Sequence, residues 1–288
     1  MEERFQFSGF ADEIAPELEE QMRVFQQLGI RYIEMRGVNG RSLCDYSLQE
    51  AKEIKAQLKE HGFALSAIGS PIGKIGINDP FAPHLELFRH ALDLAELFET
   101  PYIRMFSFFI PKGEDCAKYR DAVLERWGAF IEAAKGCGIT LLHENEKEIY
   151  GDTAERCLDL LETLNCPYVR ATFDPANFVQ CGVEPYPAAY ALLRPYIEYV
   201  HIKDAKFADG SVTAAGEGDG NVEALLRALW QDGYSGFLSL EPHLCDFSGF
   251  AQLEPNARAK AQASEGARLF TYATQRLQAL LNKIEKGE

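Results

Sequence analysis

Apolar residues in this chain fall into short β-branched or aromatic runs, separated by longer stretches with helical spacing, from one end to the other. The runs predict strands over 5–10, 32–38, 63–69, 102–108, 140–145, 169–174, 199–204 and 237–241. The intervening segments carry helix punctuation. Pro16 suits a first helical turn, and Gly29 ends that helix. "SLQE" from Ser47 and "DTAE" from Asp152 have the form of capping boxes, with an acceptor side chain three residues ahead of a glutamate. His61-Gly62 and Asp232-Gly233 read as helix exits, and Asn221 as a helix start. The pattern from Asn256 onward predicts the last helix and a candidate face for a homo-oligomer. Eight strand–helix units in 288 residues average about 36 residues each. That period predicts an α/β chain folded as a single (β/α)8 TIM barrel, one domain over 1–288. An open doubly wound sheet is the competing architecture, but it normally shows a glycine-rich turn after the first strand, and "FSGFADEIAP" is not one.

Composition narrows the partners. The chain is 47% apolar and 25% charged, with a net charge of −15. An acidic surface repels phosphodiester backbones and anionic lipid, and no basic run offsets it, so neither nucleic acid nor membrane is an expected partner. Seven cysteines at irregular spacing, without a CxxC pair, read as reduced thiols rather than a disulfide framework. The opening "MEERFQFSGF" has neither the basic nor the apolar stretch of a secretion signal, and a cytoplasmic protein is expected.

Strand parity then selects candidate chemistry. In a barrel alternate residues face the lumen, and catalytic side chains gather at the C-terminal strand ends. In "VRATFDPANF" Val169, Ala171 and Phe173 are the helix-facing set, which leaves Asp174 inward. In "YVHIKD" Val200 and Ile202 face the helices, leaving Tyr199, His201 and Lys203 inward. In "FLSLEPH" the same reasoning turns Ser239 and Glu241 in. In "TLLHENE" the inward choice falls on Glu144 over His143. Glu144, Asp174, His201 and Glu241 therefore sit at four successive strand ends. Three carboxylates converging with one imidazole need a cation among them. The oxygen-rich donor set suits Mn²⁺, Mg²⁺ or Co²⁺, with Zn²⁺ a further candidate.

With these segments and the glycine-rich "AAGEGDGN", the sequence resembles the xylose isomerase-like TIM-barrel superfamily, whose sugar isomerases and epimerases carry a Glu–Asp–His–Glu metal site. The resemblance implies that Glu144, Asp174, His201 and Glu241 hold one divalent metal ion. It also implies that Glu144 and Glu241 act as an acid/base pair in proton transfer beside a carbonyl, on a sugar or polyol. Asn177 stands where ketose 3-epimerases of this superfamily have a substrate-contacting histidine. An inosose-type dehydratase using the same site and a non-catalytic sugar-binding barrel are the alternatives. An endonuclease IV-like phosphodiesterase would want more histidines and a basic face.

Six further positions are candidate substrate contacts. Glu34 and Arg36 share the phase of Tyr32, and Arg104 holds a similar place in "YIRMFS"; all three could equally be internal ion pairs. Lys203 is a substrate contact or a salt-bridge partner of Asp174 or Glu241. Asn177 opens from the turn after Asp174, and Glu217 lies in the glycine-rich segment, which reads as a substrate-edge lid, a connector or a phosphate cradle. His243, past Pro242, is a candidate for a second metal or for substrate.

Overall fold

In the computed structural model, which describes residues 4–245 and 265–287, each of the eight apolar runs supplies one barrel strand. These are β1 Gln6–Gly9, β2 Tyr32–Met35, β3 Ala64–Gly69, β4 Tyr102–Met105, β5 Thr140–Glu144, β6 Val169–Phe173, β7 Ile197–Ile202 and β8 Phe237–Leu240. Hydrogen-bonded neighbours follow the order β1–β8–β7–β6–β5–β4–β3–β2, every pair parallel. At the seam β1 and β2 pack side by side, with no ladder between them among the described residues. The fold is a TIM barrel.

The longer helices among the described residues are α1 Leu18–Leu28, α2 Leu48–Glu60, α3 Phe81–Phe98, α4 Arg120–Ala134, α5 Ala154–Leu164, α6 Pro175–Gln180, α7 Val222–Gln231 and α8 Gly266–Lys286, with a single turn at Tyr190–Leu193. Ser47 caps α2 through a complete capping box with Glu50. Gly29 (φ 74°) ends α1, and Gly62 and Gly233, also at positive φ, follow α2 and α7. Two expectations shift. Pro16 lies outside α1, whose first free N–H, on Leu18, donates instead to the Asn39 side chain (3.0 Å). In "DTAE" the cap is Thr153, while Asp152 accepts from Arg156 Nε (2.8 Å). Residues 256–264, where the last helix was expected to start, lie outside the described residues.

The strands are shorter than the apolar runs because their C-terminal residues leave the ladder to build the rim. After β2 the chain turns into a small ribbon, Gly37–Val38 paired with Arg41–Ser42. After β7, Asp204–Ala205 pairs with Val212–Thr213. Parity holds in the packing. Leu141, Val169, Ala171, Phe173, Val200, Ile202, Leu238 and Leu240 belong to the main core between sheet and helices. A separate small cluster, Ala67, Leu142 and Tyr199, fills the lumen. Burial of each such aliphatic or aromatic side chain contributes roughly 1.5–3 kcal/mol, so the barrel wall rather than the lumen carries most of the stability. The polar residues at the upper strand ends stand above this plug, whose Tyr199 hydroxyl is hydrogen-bonded to Ser66 (2.8 Å).

The glycine-rich segment wraps a single carboxylate. Asp204, fully buried, accepts from the backbone N–H groups of Gly216 (3.0 Å), Gly218 (3.0 Å) and Gly220 (2.8 Å) as well as Ala205 (2.9 Å). A Cβ on Gly218 would lie 2.4 Å from Asp204 Oδ1, so the glycines are required by close approach. The N–H groups that a phosphate cradle would use are committed to this side chain, which removes the phosphate reading of the segment. No helix among the described residues is long and apolar enough to cross a membrane.

Candidate metal centre

Four strand ends converge as parity requires. Glu144 closes β5, Asp174 follows β6, His201 lies in β7 and Glu241 follows β8. His201 Nδ1 is 3.1 Å from Glu144 Oε1, 3.6 Å from Asp174 Oδ2 and 3.4 Å from Glu241 Oε2. One ligand atom from each of the four lies within 4.8 Å of the others, and all four residues are buried, a group that could hold a metal ion. Two oxygens sharpen the fit. Glu144 Oε2 and Asp174 Oδ2 are buried without a hydrogen-bond partner. Cations stand near both, Arg104 Nη1 at 3.3 Å and Lys203 Nζ at 3.0 Å, but neither is aligned to donate. Buried acceptors are rarely left this way unless something else completes them.

The helix-start geometry fixes Asp174. It caps α6, its Oδ1 accepting from Asn177 N (2.9 Å), which leaves Oδ2 aimed at the cluster. Asn145 ties the two strand ends together: it donates to Asp174 O and accepts from Asp174 N, both at 2.9 Å. The sequence reading did not single out Asn145, and a polar residue directly after the strand-end glutamate was the available signal.

Charge compensation is local. Lys203 Nζ lies 3.0 Å from Asp174 Oδ2 and 2.9 Å from Glu241 Oε2. Burial works against the Lys203 ammonium, yet Asp174 and Glu241 raise it well above the ordinary lysine range. Burial likewise opposes the Glu241 carboxylate, and Lys203 and His243 outweigh it, holding Glu241 well below its usual value. For His201 burial disfavours the charged ring, but Glu34 and Glu144 push it well above the ordinary imidazole value. In this arrangement an imidazolium and an ammonium neutralise the carboxylates.

The remaining predicted residues divide by depth. Glu34 lies under the cluster, fully buried: its carboxylate is 3.1 Å from His201 Nε2 and accepts from Ser239 Oγ (2.7 Å). Burial opposes the Glu34 charge, and His201 overrides it to keep the group ionised. Arg104 stands between Glu34 (3.6 Å) and Glu144 (3.3 Å), beneath the Phe10 and Phe106 rings. Arg36 grips Asp12 with two hydrogen bonds (2.9 and 3.0 Å) and reaches Glu241 Oε1 at 3.1 Å. Asn177 donates to Glu144 Oε1 (3.1 Å) and to Asn145 O (2.9 Å), and its Oδ1 has no partner. Glu217 turns elsewhere: Tyr272 donates to it, and Arg276 of α8 pairs with it at 3.1 Å. His143 faces the helix layer, its Nε2 on Ser107 Oγ (3.0 Å) and its ring edge-on to Trp127; burial drops it to about 3.

Beside Glu241 stands a group that the sequence shows only in part. His243 Nε2 is 3.4 Å from Glu241 Oε1 and 3.6 Å from Glu13 Oε1. Glu13 sits in the turn after β1, and burial raises it to about 7 against the pull of His243 and Arg36. Glu13, Glu241 and His243 together are a second group that could hold an ion. Arg36, 3.5 Å from Glu13, already supplies a cation there.

A cleft of about 440 Å³ lies beside the cluster, joined to it through Arg36 and Arg104, which stand in its wall and pair with Glu241 and Glu144. It has the size of a small-molecule site.

The family profile described as xylose isomerase-like TIM barrel matches residues 22–270. No curated protein matches the chain. Among solved structures, the chain is similar to D-psicose 3-epimerase with D-tagatose from Clostridium cellulolyticum H10, at 17% identity and TM-score 0.76 over 96% of this chain and 99% of that one. It is also similar to the probable 3-DHS dehydratase AsbF, involved in petrobactin synthesis, from Bacillus anthracis, at 17% identity and TM-score 0.73 over 95% and 99%. A third is a xylose isomerase-like TIM barrel protein from Mycobacterium smegmatis in complex with magnesium, at 19% identity and TM-score 0.68 over 96% and 97%. At these identities the likeness is one of fold.

Proposed function

Because this chain belongs to the xylose isomerase-like TIM-barrel family, we propose that it is a divalent-metal-dependent isomerase or epimerase of a sugar or sugar derivative, working as one domain. The observation that carries the reading is the buried convergence of Glu144, Asp174, His201 and Glu241 within 4.8 Å. These four would hold one Mn²⁺, Mg²⁺ or Co²⁺ ion, and the three carboxylates outweigh the single nitrogen in setting that preference over Zn²⁺. When bound, the ion would supply charge stabilisation as the proton beside a carbonyl departs.

The rest is done by the protein. Glu144 and Glu241 are the acid/base pair: one takes the proton, and the other returns a proton to the opposite face or to the neighbouring carbon. Each has a guanidinium beside it, Arg104 at 3.3 Å from Glu144 and Arg36 at 3.1 Å from Glu241. Asn177, donating to Glu144, sets the direction of that carboxylate. Lys203 offsets Asp174 and Glu241 and stands beside the base as a charged hydrogen-bond donor to a substrate hydroxyl. That last placement is what favours a dehydratase as the second reading, since loss of a hydroxyl needs such a donor.

The test is a sugar and polyol panel in deuterated water with added Mn²⁺, read by NMR and mass. Exchange at a carbon beside a carbonyl, with mass otherwise conserved, is expected; loss of water marks the dehydratase. Glu144→Gln and Glu241→Gln should each lower exchange by about 10²-fold or more. If both variants exchanged at the parent rate and bound metal normally, the assignment would be wrong.

A further inference from the structure

The cleft beside the cluster is lined by cations, although the chain as a whole is acidic. The chain carries 44 acidic and 29 basic residues, yet the cleft wall holds Arg36, Arg41, Lys74 and Arg104 with a single carboxylate, Asp12. The other carboxylates that pair with these cations, Glu13, Glu50, Glu146, Glu34, Glu144 and Glu241, are not among the residues that line it. Arg36 and Arg104 are tied to the acid/base pair. Lys74 and Arg41 touch none of the four clustered residues and come from two separate rim elements. A neutral sugar, bound by hydroxyl contacts, would make no use of the charge on Lys74 and Arg41, the two wall cations that pair with none of the four clustered residues.

Lys74 is held in place before any ligand arrives. The turn that carries it is locked at Gly73 (φ 88°), where a Cβ would lie 2.1 Å from the Phe106 carbonyl oxygen. Gly73 N donates to His84 Nε2 (2.7 Å), Phe108 N donates to Gly73 O (2.9 Å), and Lys74 N donates to Pro71 O (2.9 Å). The Lys74 ammonium then rests 4.2 Å over the Phe106 ring and 3.1 Å from Glu146. Arg41 belongs to the ribbon after β2 and is stacked 3.9 Å over Tyr46, with its guanidinium fixed by Glu50 (3.1 Å) and Asp45 O (2.8 Å). Cations fixed in advance on rigid turns lose little freedom on binding, which is how an anion is selected.

We propose that the substrate is an anionic sugar derivative, whose carboxylate or phosphate is bound by Lys74 and Arg41 while its carbonyl end faces Glu144 and Glu241. This rests on the reaction proposed above and adds the substrate's charge. The test measures binding by calorimetry to the Mn²⁺-loaded full chain with D-fructose, D-fructuronate and D-fructose 6-phosphate, and with glycolate and inorganic phosphate as minimal anions. At least one charged ligand should bind tenfold or more tighter than fructose, the larger gain identifying carboxylate or phosphate. The gain should shrink as salt is raised. Lys74→Met and Arg41→Gln should each remove most of it, with Mn²⁺ affinity as the check that the metal site is intact. Equal binding of neutral and charged ligands, a preference that survives both substitutions, or no affinity for any of the anions overturns the subsite. Failure of the reaction itself shows differently, as loss of Mn²⁺ binding or of carbon-bound hydrogen exchange.

Discussion

At the scale of single residues, parity sorted inward from outward but said nothing of depth. Glu34 and Glu144 both turn into the lumen, yet Glu144 offers an oxygen to the cluster while Glu34 lies beneath it, fixed to His201 Nε2 and Ser239. Such a carboxylate orients the imidazole and raises its basicity as a ligand. Glu34→Gln is therefore expected to weaken Mn²⁺ binding by about 10- to 100-fold, read by competition with a chelating dye. Unchanged affinity would remove Glu34 from that role. The choice of Glu144 over His143 was legible only through phase, and the structure places His143 in the helix layer against Trp127. The partners of Glu217 were hidden for a different reason. Its contacts, Tyr272 and Arg276, lie more than fifty residues away on α8, and no local pattern announces them.

Among the elements, two of the rim loops are built around a buried polar group. Asp204 organises the segment that follows β7 by accepting four backbone N–H groups. Asp204→Ala strands those donors, and with one to three kcal/mol at stake for each buried group left unpaired, a loss of about 3 kcal/mol is expected in urea denaturation. Cleavage of the 214–220 loop by protease should rise in parallel; a stable, resistant variant would contradict this account. The turn after β3 depends on a neutral histidine. His84 Nε2 accepts from Gly73 N, and burial, aided by Arg126, lowers the ring from 6.5 to about 4. The folded value lies below the unfolded one, so the unfolded chain binds more protons between them. Stability is therefore complete above pH 6.5 and is lost as pH falls towards 4. The full loss from this one group is about 3 kcal/mol. His84→Gln keeps an acceptor without a titration, and its stability should be flatter across that window. An equally steep slope in the variant would assign the acid sensitivity to other groups.

For the whole molecule, closing eight strands into a ring brings three carboxylates together around one imidazole, and the cost of that gathering is met by whatever cation is present. Metal binding is then linked to folding. At a Mn²⁺ concentration of a hundred times Kd, stability should rise by about 2.7 kcal/mol and fall again on chelation. Asp174→Asn should lose most of that increment, and an equal increment in the variant would place the ion elsewhere. The sequence by itself determined the strand count, the direction of the strand-end side chains from β5 to β8 and the membership of the four-residue cluster. Those follow from period-2 alternation and strand length, which are local properties of the chain. Tertiary structure alone decided the rest: Glu34 under His201, Asp204 inside the glycine loop, Glu13 beside His243, and Lys74 and Arg41 in one cleft wall. Those pairings join residues apart in the sequence, across the lumen or along the rim loops, whose approach is set by closure of the barrel and packing on it and carries no repeating pattern in the sequence.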